Sequence, residues 1–446
     1  MARVLFDGCG GRLVRGQRWL RHLLIILAVL AAVGASARAD TTTTPSGGAP
    51  SAPPPSPPAL PKPPKGGPLA SRGMWIWYVS RSSGGDPSSI IATARTYGLG
   101  TLIVKAGDGT QAWSQFSRQL VSTLHAAGLR ACAWQYVYGD HPIFEAEVGA
   151  AAVKAGADCL LIDAESEYEG KYVHAQEYVK KLRQLIGGRF PVGLAGFPYV
   201  DYHPAFPYSV FLGPGGAQYN VPQMYWSDIG ATVDDVYAHT YSFNAPYLRP
   251  IEPLGEVAGN PPPGQVFRFR QMSRAYGATG VSWWDWQEAS SRDWLAVGRP
   301  AGNLVGVTAA PTMPSLTIRS QGGVWAGDLV VWAQEHLYKA GVTITIDGRF
   351  GAETQAAVQT FQVAHGLPVT GMIDAPTWTA LLRYPPASVM WVKRQGKTVA
   401  IAARGALTLP APASARMRAV RYEIPKDLGA ARPLASLGGT REASAR

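Results

Sequence analysis

Two carboxylates, Asp163 and Glu165, close the apolar run Cys159-Leu160-Leu161-Ile162. A short unbroken apolar run is the pattern of a strand buried on both faces, as in parallel sheets. Residues two apart on a strand point to the same side, so the acids share one face, roughly 6.6 Å apart along the chain. At the C-terminal end of a barrel strand they would stand at the mouth where βα barrels hold their chemistry. Ordinary glycosidases place two carboxyl groups on opposite sides of the scissile bond. A pair that approaches from one direction suits a reaction in which the sugar's own 2-acetamido oxygen attacks the anomeric carbon. Glu165 would then protonate the leaving oxygen, its pKa raised by burial and by its neighbour. Asp163 would orient the acetamide and stabilise the positive charge that develops on it. The bland alternative for both acids is an ion pair or a cap at the strand end.

The other apolar runs also end in polar and aromatic groups: Lys105 and Asp108, Trp134 and Gln135, Gln223 and Tyr225, Trp284 and Asp285. Sugar clefts need such a mixture, because C–H faces pack on aromatic rings while hydroxyls take directional hydrogen bonds. Lys105, Asp108, Trp134, Gln135, Gln223, Trp284 and Asp285 are therefore the candidate substrate-binding residues, with Trp284 as a floor beneath the sugar. Tyr225 joins the two acids as a catalytic candidate that hydrogen-bonds the acetamide oxygen. A single Trp is more often packing than platform, so the clustering at run ends carries this reading. The histidines are scattered and no H-E-x-x-H occurs, so no metal site is expected. No cofactor is expected either, and the structural alternative to a barrel, a doubly wound open sheet, is disfavoured because no G-x-G-x-x-G follows the first run.

These residues require a frame. Between Met74 and Gly298 the pattern alternates strand and helix. Expected strands are Met74–Val79, Thr101–Lys105, Arg130–Tyr136, Cys159–Asp163, Pro191–Phe197, Val221–Trp226, Tyr247–Pro253 and Gly280–Trp286. Helical stretches lie between them, and Gly98, Gly128, Gly156 and Gly277 stand where a left-handed stop would end four of these. Eight such units predict an α/β fold, a (β/α)8 TIM-like barrel over 73–300.

The flanks differ in composition. Residues 1–39 carry net charge +5, the apolar run Leu23–Val33 and Ala37-Arg38-Ala39, which reads as a secretory signal peptide, or else as an N-terminal membrane anchor. Residues 40–72 are rich in Thr and Pro and predict an extended spacer. Residues 384–446 carry +8 and read as a basic, flexible tail, which leaves the middle of the chain near neutral at −2. A nucleic-acid partner is excluded, because no binding motif accompanies the charge. Of the three cysteines, Cys132 and Cys159 fall in apolar runs and are expected to be buried thiols.

A second unit spans 323–383. Asp347-Gly348, Phe350-Gly351, Thr354, Ala357-Val358, Phe361-Gln362, Gly366-Leu367, Thr370-Gly371, Asp374 and Thr377-Trp378 occur there in order. This segment resembles the peptidoglycan-binding type 1 module, a small three-helix domain attached to many cell-wall hydrolases. One departure is Ala333-Gln334, where that family prefers Leu-Gln. In the barrel, Asp163-Ala-Glu165, Gln223-Met224-Tyr225 and Trp284 resemble signatures of family 18 chitinases. Val104-Lys105-Ala106-Gly107-Asp108-Gly109-Thr110 with the same acids is similar to family 25 muramidases. The longer chitinase run of acids is absent, and Met74-Trp75-Ile76-Trp77 lacks the muramidase first-strand Asp. These resemblances imply an exported glycosidase, in the cell wall, outside the cell or anchored on the outer face of the membrane. It would cleave a β-1,4 bond next to an N-acetylhexosamine, with peptidoglycan or another N-acetylated envelope glycan as partner. The alternatives are a wall-binding or scaffold protein with an inactive barrel, or a glycosidase of another envelope polysaccharide.

Overall fold

The computed structural model of the chain describes residues 66–302, 309, 311–318, 325–402 and 420–421. The expected leader over 1–39 and all but the last residues of the spacer lie outside the described residues. Among the described residues no helix is long and apolar enough to cross a membrane.

The buried apolar runs form parallel strands. β1 (Arg72–Ile76) is followed by β2 (Thr101–Asp108), on which the short β3 (Gln111–Ala112) folds back. Then come β4 (Arg130–Val137), β5 (Cys159–Ala164), β6 (Val192–Ala195), β7 (Tyr219–Asn220), β8 (Leu254–Glu256) and β9 (Val281–Trp284). Their spatial order is β7-β6-β5-β4-β2-β1-β9-β8. The bridges Asn220↔Ile251 and Gln223↔Leu254 join the two ends, so the eight parallel strands close on themselves. The crossovers carry α1 (Pro87–Thr96), α2 (Arg118–Ala126), α3 (Pro142–Lys154), α4 (Tyr172–Ile186), α5 (Tyr208–Phe211), α6 (Trp226–Ile229), α7 (Val233–Asn244) and α8 (Pro263–Ala275). α9 (Ser291–Gly298) follows the last strand. Asp86 caps α1 by accepting the Ser89 N–H, and Ser290 with Asp293 forms a capping box on α9. Gly98, Gly128, Gly156 and Gly277 all take positive φ, as their stop positions require.

Alternation along the strands sorts side chains into two cores. Trp75, Ile103, Cys132, Trp134, Tyr136, Cys159, Leu161, Ala195, Val221 and Leu254 fill the barrel interior. Their sequence neighbours face the helix layer. Inside the barrel, Cys132 and Cys159 are register partners on β4 and β5 and form a disulfide, with Cα atoms 4.7 Å apart. The expectation of two free thiols is thereby corrected: spacing along the chain gives no hint that parallel register places the two side by side.

Two strands sit elsewhere than expected. The run Val221–Trp226 is interrupted by Pro222, which has no N–H to give to a ladder; the strand is β7 before it, and Trp226 begins a helical turn. Tyr247–Pro253 holds a 3-10 turn at Ala245–Tyr247, and the strand is β8 after it.

The C-terminal unit has three helices, α10 (Asp328–Lys339), α11 (Ala352–Ala364) and α12 (Ala375–Leu381). Two buried glutamines explain much of its motif. Gln334 accepts the N–H groups of Asp347 and Gly348 and donates to Asp347 and Thr354. Gln362 accepts the Gly371 N–H and donates to Thr370, Met372 and Thr377. Each holds one turn between helices in place. Within the segment expected to be a tail, β10 (Val389–Arg394) and β11 (Lys397–Ala402) form a hairpin joined by β12 (Val420–Arg421). Trp391 of this hairpin packs on Tyr172 of α4 at 4.4 Å and shares hydrogen bonds with Gln176. An alternating Val389, Trp391 face therefore docks on the barrel.

The disulfide closes a loop of 27 residues, for which chain entropy gives roughly 3–4 kcal/mol of stabilisation. The double variant Cys132→Ala, Cys159→Ala should be less stable to unfolding by about that amount, and reductant should destabilise the wild type but leave the variant unmoved.

Candidate functional site

Asp163 and Glu165 lie at the C-terminal end of β5, on the interior side of the alternation that buries Cys159 and Leu161. Asp163 is 6% exposed. Its register partner on β6 is Ala195, whose small side chain leaves room for a group to reach across from the next strand. That group is Gln223. Its backbone N–H donates to Gly196 O, and the following N–H, of Met224, donates to Leu254 O, which fixes it between β6 and β8. The Gln223 amide nitrogen then donates to Asp163 Oδ1 at 2.9 Å and to Glu165 Oε1 at 3.1 Å. One amide thus joins the two carboxylates. Tyr225, two residues on, is raised well above the usual phenol range, by burial first and then by Asp163 and Glu165. Asp163 and Tyr225, expected to hold the acetamide, are therefore brought together with the expected acid Glu165 and the substrate-binding candidate Gln223.

On the neighbouring strand Tyr136 is the register partner of Asp163. Burial, then Glu165, Glu167 and Asp163, push its phenol far above the usual range, and its hydroxyl donates to Glu167 Oε2 at 2.8 Å. Neither Tyr136 nor Glu167 is a sequence candidate. Parity would have found Tyr136, because it shares a face with Trp134 and Gln135 does not.

Gln135 itself is corrected. It points away from the mouth into the helix layer, fully buried, where it donates to Gly109 O and Glu145 O and receives the Tyr178 hydroxyl. It braces β4 against α3 and α4.

Lys105 is 1% exposed and lies within 4.6–4.7 Å of the ring centres of Trp77, Trp113 and Trp134. Its ammonium is 2.7 Å from Asp108 Oδ2, and the Tyr138 hydroxyl donates to Asp108 Oδ1. Lys105 is thus an aromatic-boxed counter-ion that fixes Asp108, which is the more open of the two. Trp134 is buried in the layer below and donates to Ile76 O, so it supports the floor rather than forming it. Trp284 is half-buried above it, 5.3 Å from Trp134 and 5.6 Å from Trp77. Asp285 follows a cis Trp284–Asp285 peptide. It is buried, accepts from Gln287 and from the Glu288 N–H, and is raised by that burial to about 7. It braces the loop after β9, where Gln287 in turn accepts the Trp77 N–H.

A further acid, Glu256, closes β8 two residues after the interior-facing Leu254. It is 2% exposed and accepts the Ser227 N–H, which ties the start of α6 to β8 just after Tyr225. The sequence reading missed it because the expected strand stopped at Pro253.

Residues 326–381 match the family model described as a putative peptidoglycan binding domain. The C-terminal unit carries that module. No curated protein matches the chain. Among solved structures, a family 18 chitinase from Pseudoalteromonas aurantia is similar over 50% of this chain and 97% of that one, at 12% identity and TM-score 0.38. The catalytic domain of endolysin ply40 from bacteriophage P40 of Listeria monocytogenes is similar over 28% of this chain and 63% of that one, at 16% identity and TM-score 0.22. A putative deoxyribose-phosphate aldolase from Toxoplasma gondii is similar over 49% and 89%, at 13% identity and TM-score 0.33. Likeness of this size assigns no reaction, and barrels host many.

Burial raises the Glu256 carboxyl from 4.5 to about 7. The folded state therefore binds this proton more tightly than the unfolded chain does. That contribution is complete below about pH 4.5 and is lost as pH rises through about 7. Glu256→Gln keeps an acceptor for the Ser227 N–H and never ionises. Thermal melts across this range should show wild type losing stability relative to Glu256→Gln as pH rises, by about 3 kcal/mol at most.

Proposed function

We propose that the chain is an exported cell-wall glycoside hydrolase that cleaves a β-1,4 bond next to an N-acetylhexosamine in peptidoglycan, by substrate-assisted acid catalysis. The observation that carries this reading is the Gln223 amide shared by Asp163 and Glu165, with Tyr225 beside them and Trp284 on the mouth. The module at 326–381 supports the wall as the place of action. The disulfide inside the barrel suits an oxidising compartment outside the cytoplasm, in line with the leader read over 1–39.

In the proposed reaction the protonated Glu165 carboxyl gives its proton to the glycosidic oxygen as the bond to the anomeric carbon breaks. The acetamido oxygen of the same sugar forms the new bond to that carbon and yields a cyclic oxazolinium. Asp163, held by Gln223, accepts the acetamide N–H and balances the positive charge. Tyr225 donates to the acetamide oxygen and keeps it aimed at the carbon. Trp284 packs beneath the ring. The Glu165 carboxylate then takes a proton from water, which attacks the anomeric carbon, opens the ring and restores the acid. Asp108, locked by Lys105 and Tyr138, lies on the β2 side of the same mouth and takes sugar hydroxyls.

Glu165→Gln should lower the release of new reducing ends from purified peptidoglycan by on the order of 10²–10⁴-fold, and Asp163→Asn should do likewise. Both should leave the unfolding free energy within about 1 kcal/mol of wild type. Full activity in Glu165→Gln would sink the proposal.

A further inference from the structure

We infer that the C-terminal module takes the place of a missing barrel helix as well as serving as an anchor, and that Asp328 is a positioning residue for the segment bearing Glu165. This rests on the proposed hydrolase reading for its effect on turnover, but on contacts alone for its effect on structure.

The crossover from β6 to β7 lacks a full barrel helix, because α5 makes only one turn. A one-turn helix cannot cover the outer face of two strands. α10 of the module takes that place, and every residue of it from Asp328 to Tyr338 is buried. Trp332 donates to Pro246 O, at the turn before β8, and its ring packs on Tyr247 at 5.4 Å. Gly327 sits so close to Pro204 that an added Cβ would lie 2.5 Å from the Pro204 Cβ and carbonyl oxygen. The module is therefore pressed directly onto the loop that follows β6.

Asp328 anchors this contact. Its carboxylate accepts the Ser209 N–H at 2.7 Å, the Ser209 hydroxyl at 2.6 Å and the Tyr247 hydroxyl at 2.8 Å, and its own N–H donates to Pro204 O. It thereby ties α5 and the loop before it to the module. From there two short routes lead to the acids. Ala205 O, next to Pro204, accepts the Gly170 N–H, and His203 pairs with Glu169 at 2.8 Å. Phe211 of α5 packs on Tyr168 at 5.0 Å. Residues 168–170 lie three to five positions after Glu165, and the Tyr168 N–H donates to Glu165 O. The far side of that turn is thus held by elements that are themselves held by the module. A mouth that tolerates misplacement of a reacting group by much less than 1 Å depends on such support.

The test uses the full chain with Asp328→Ala, hydrogen exchange read by mass, and turnover of a soluble N-acetylated chito-oligosaccharide tetramer. A soluble probe needs no wall anchoring. Exchange over 165–171 and 197–212 should quicken about ten-fold while α2, across the barrel, is unchanged, and kcat should fall about ten-fold with little change in KM. Faster exchange confined to 325–340, with wild-type kcat, would overturn the inference. Should Asp328→Ala not fold, Ser209→Ala removes one of the hydrogen bonds to the same carboxylate, disturbs the contact more gently and is read identically. A wild-type chain that cuts neither the tetramer nor peptidoglycan would defeat the hydrolase reading. The exchange pattern would still decide the positioning claim.

Discussion

The site depends on one side-chain amide reaching two carboxylates across an intervening strand. Gln223 can bridge Asp163 and Glu165 only because three other conditions hold. β6 must present a small residue, Ala195, between them. The backbone at Gln223 must be pinned on both sides, to Gly196 and through Met224 to Leu254. And the barrel must close at that seam, where Pro222 leaves the ladder to isolated bridges. The weakest-paired part of the sheet thus carries the most exacting hydrogen bonds, and Glu256 with the Ser227 N–H supplies a fastening that regular pairing does not.

Much of this frame could be read from the chain. The apolar run ending in Asp163 and Glu165, the glycine stops and the alternation of strand and helix fix a barrel and place its acids. The positions of Lys105, Asp108, Gln223, Tyr225 and Trp284 at the mouth follow from the same pattern. What could not be read depends on register or on proline. The Cys132–Cys159 bond needs the two strands to be neighbours in a particular register. Glu256 was hidden because Pro246, Pro250 and Pro253 displace the strand toward the C-terminus. Parity alone turns Gln135 toward the helix layer, since Trp134, Gln135 and Tyr136 cannot all face one way.

The module match is a statement about residues 326–381 alone, yet that segment is not separable in space. A buried carboxylate with several donors, as at Asp328, is stabilising only while all of its partners stay in place. Such a contact gives the module a fixed orientation relative to the mouth; under the proposed function a glycan strand would be met in one direction rather than at the end of a loose tether. The Trp391 hairpin on α4 adds a second point of attachment.

The central claim is that the anomeric carbon is attacked twice, first by the sugar's own acetamide, and not once by water. The anomeric form of the first product, followed by proton NMR as a β-linked N-acetylated oligosaccharide is cleaved, tests this directly. Two successive displacements at one carbon restore its configuration, so the account predicts that the β-anomer appears first and then mutarotates. Initial release of the α-anomer would mean a single displacement by water, and would contradict it.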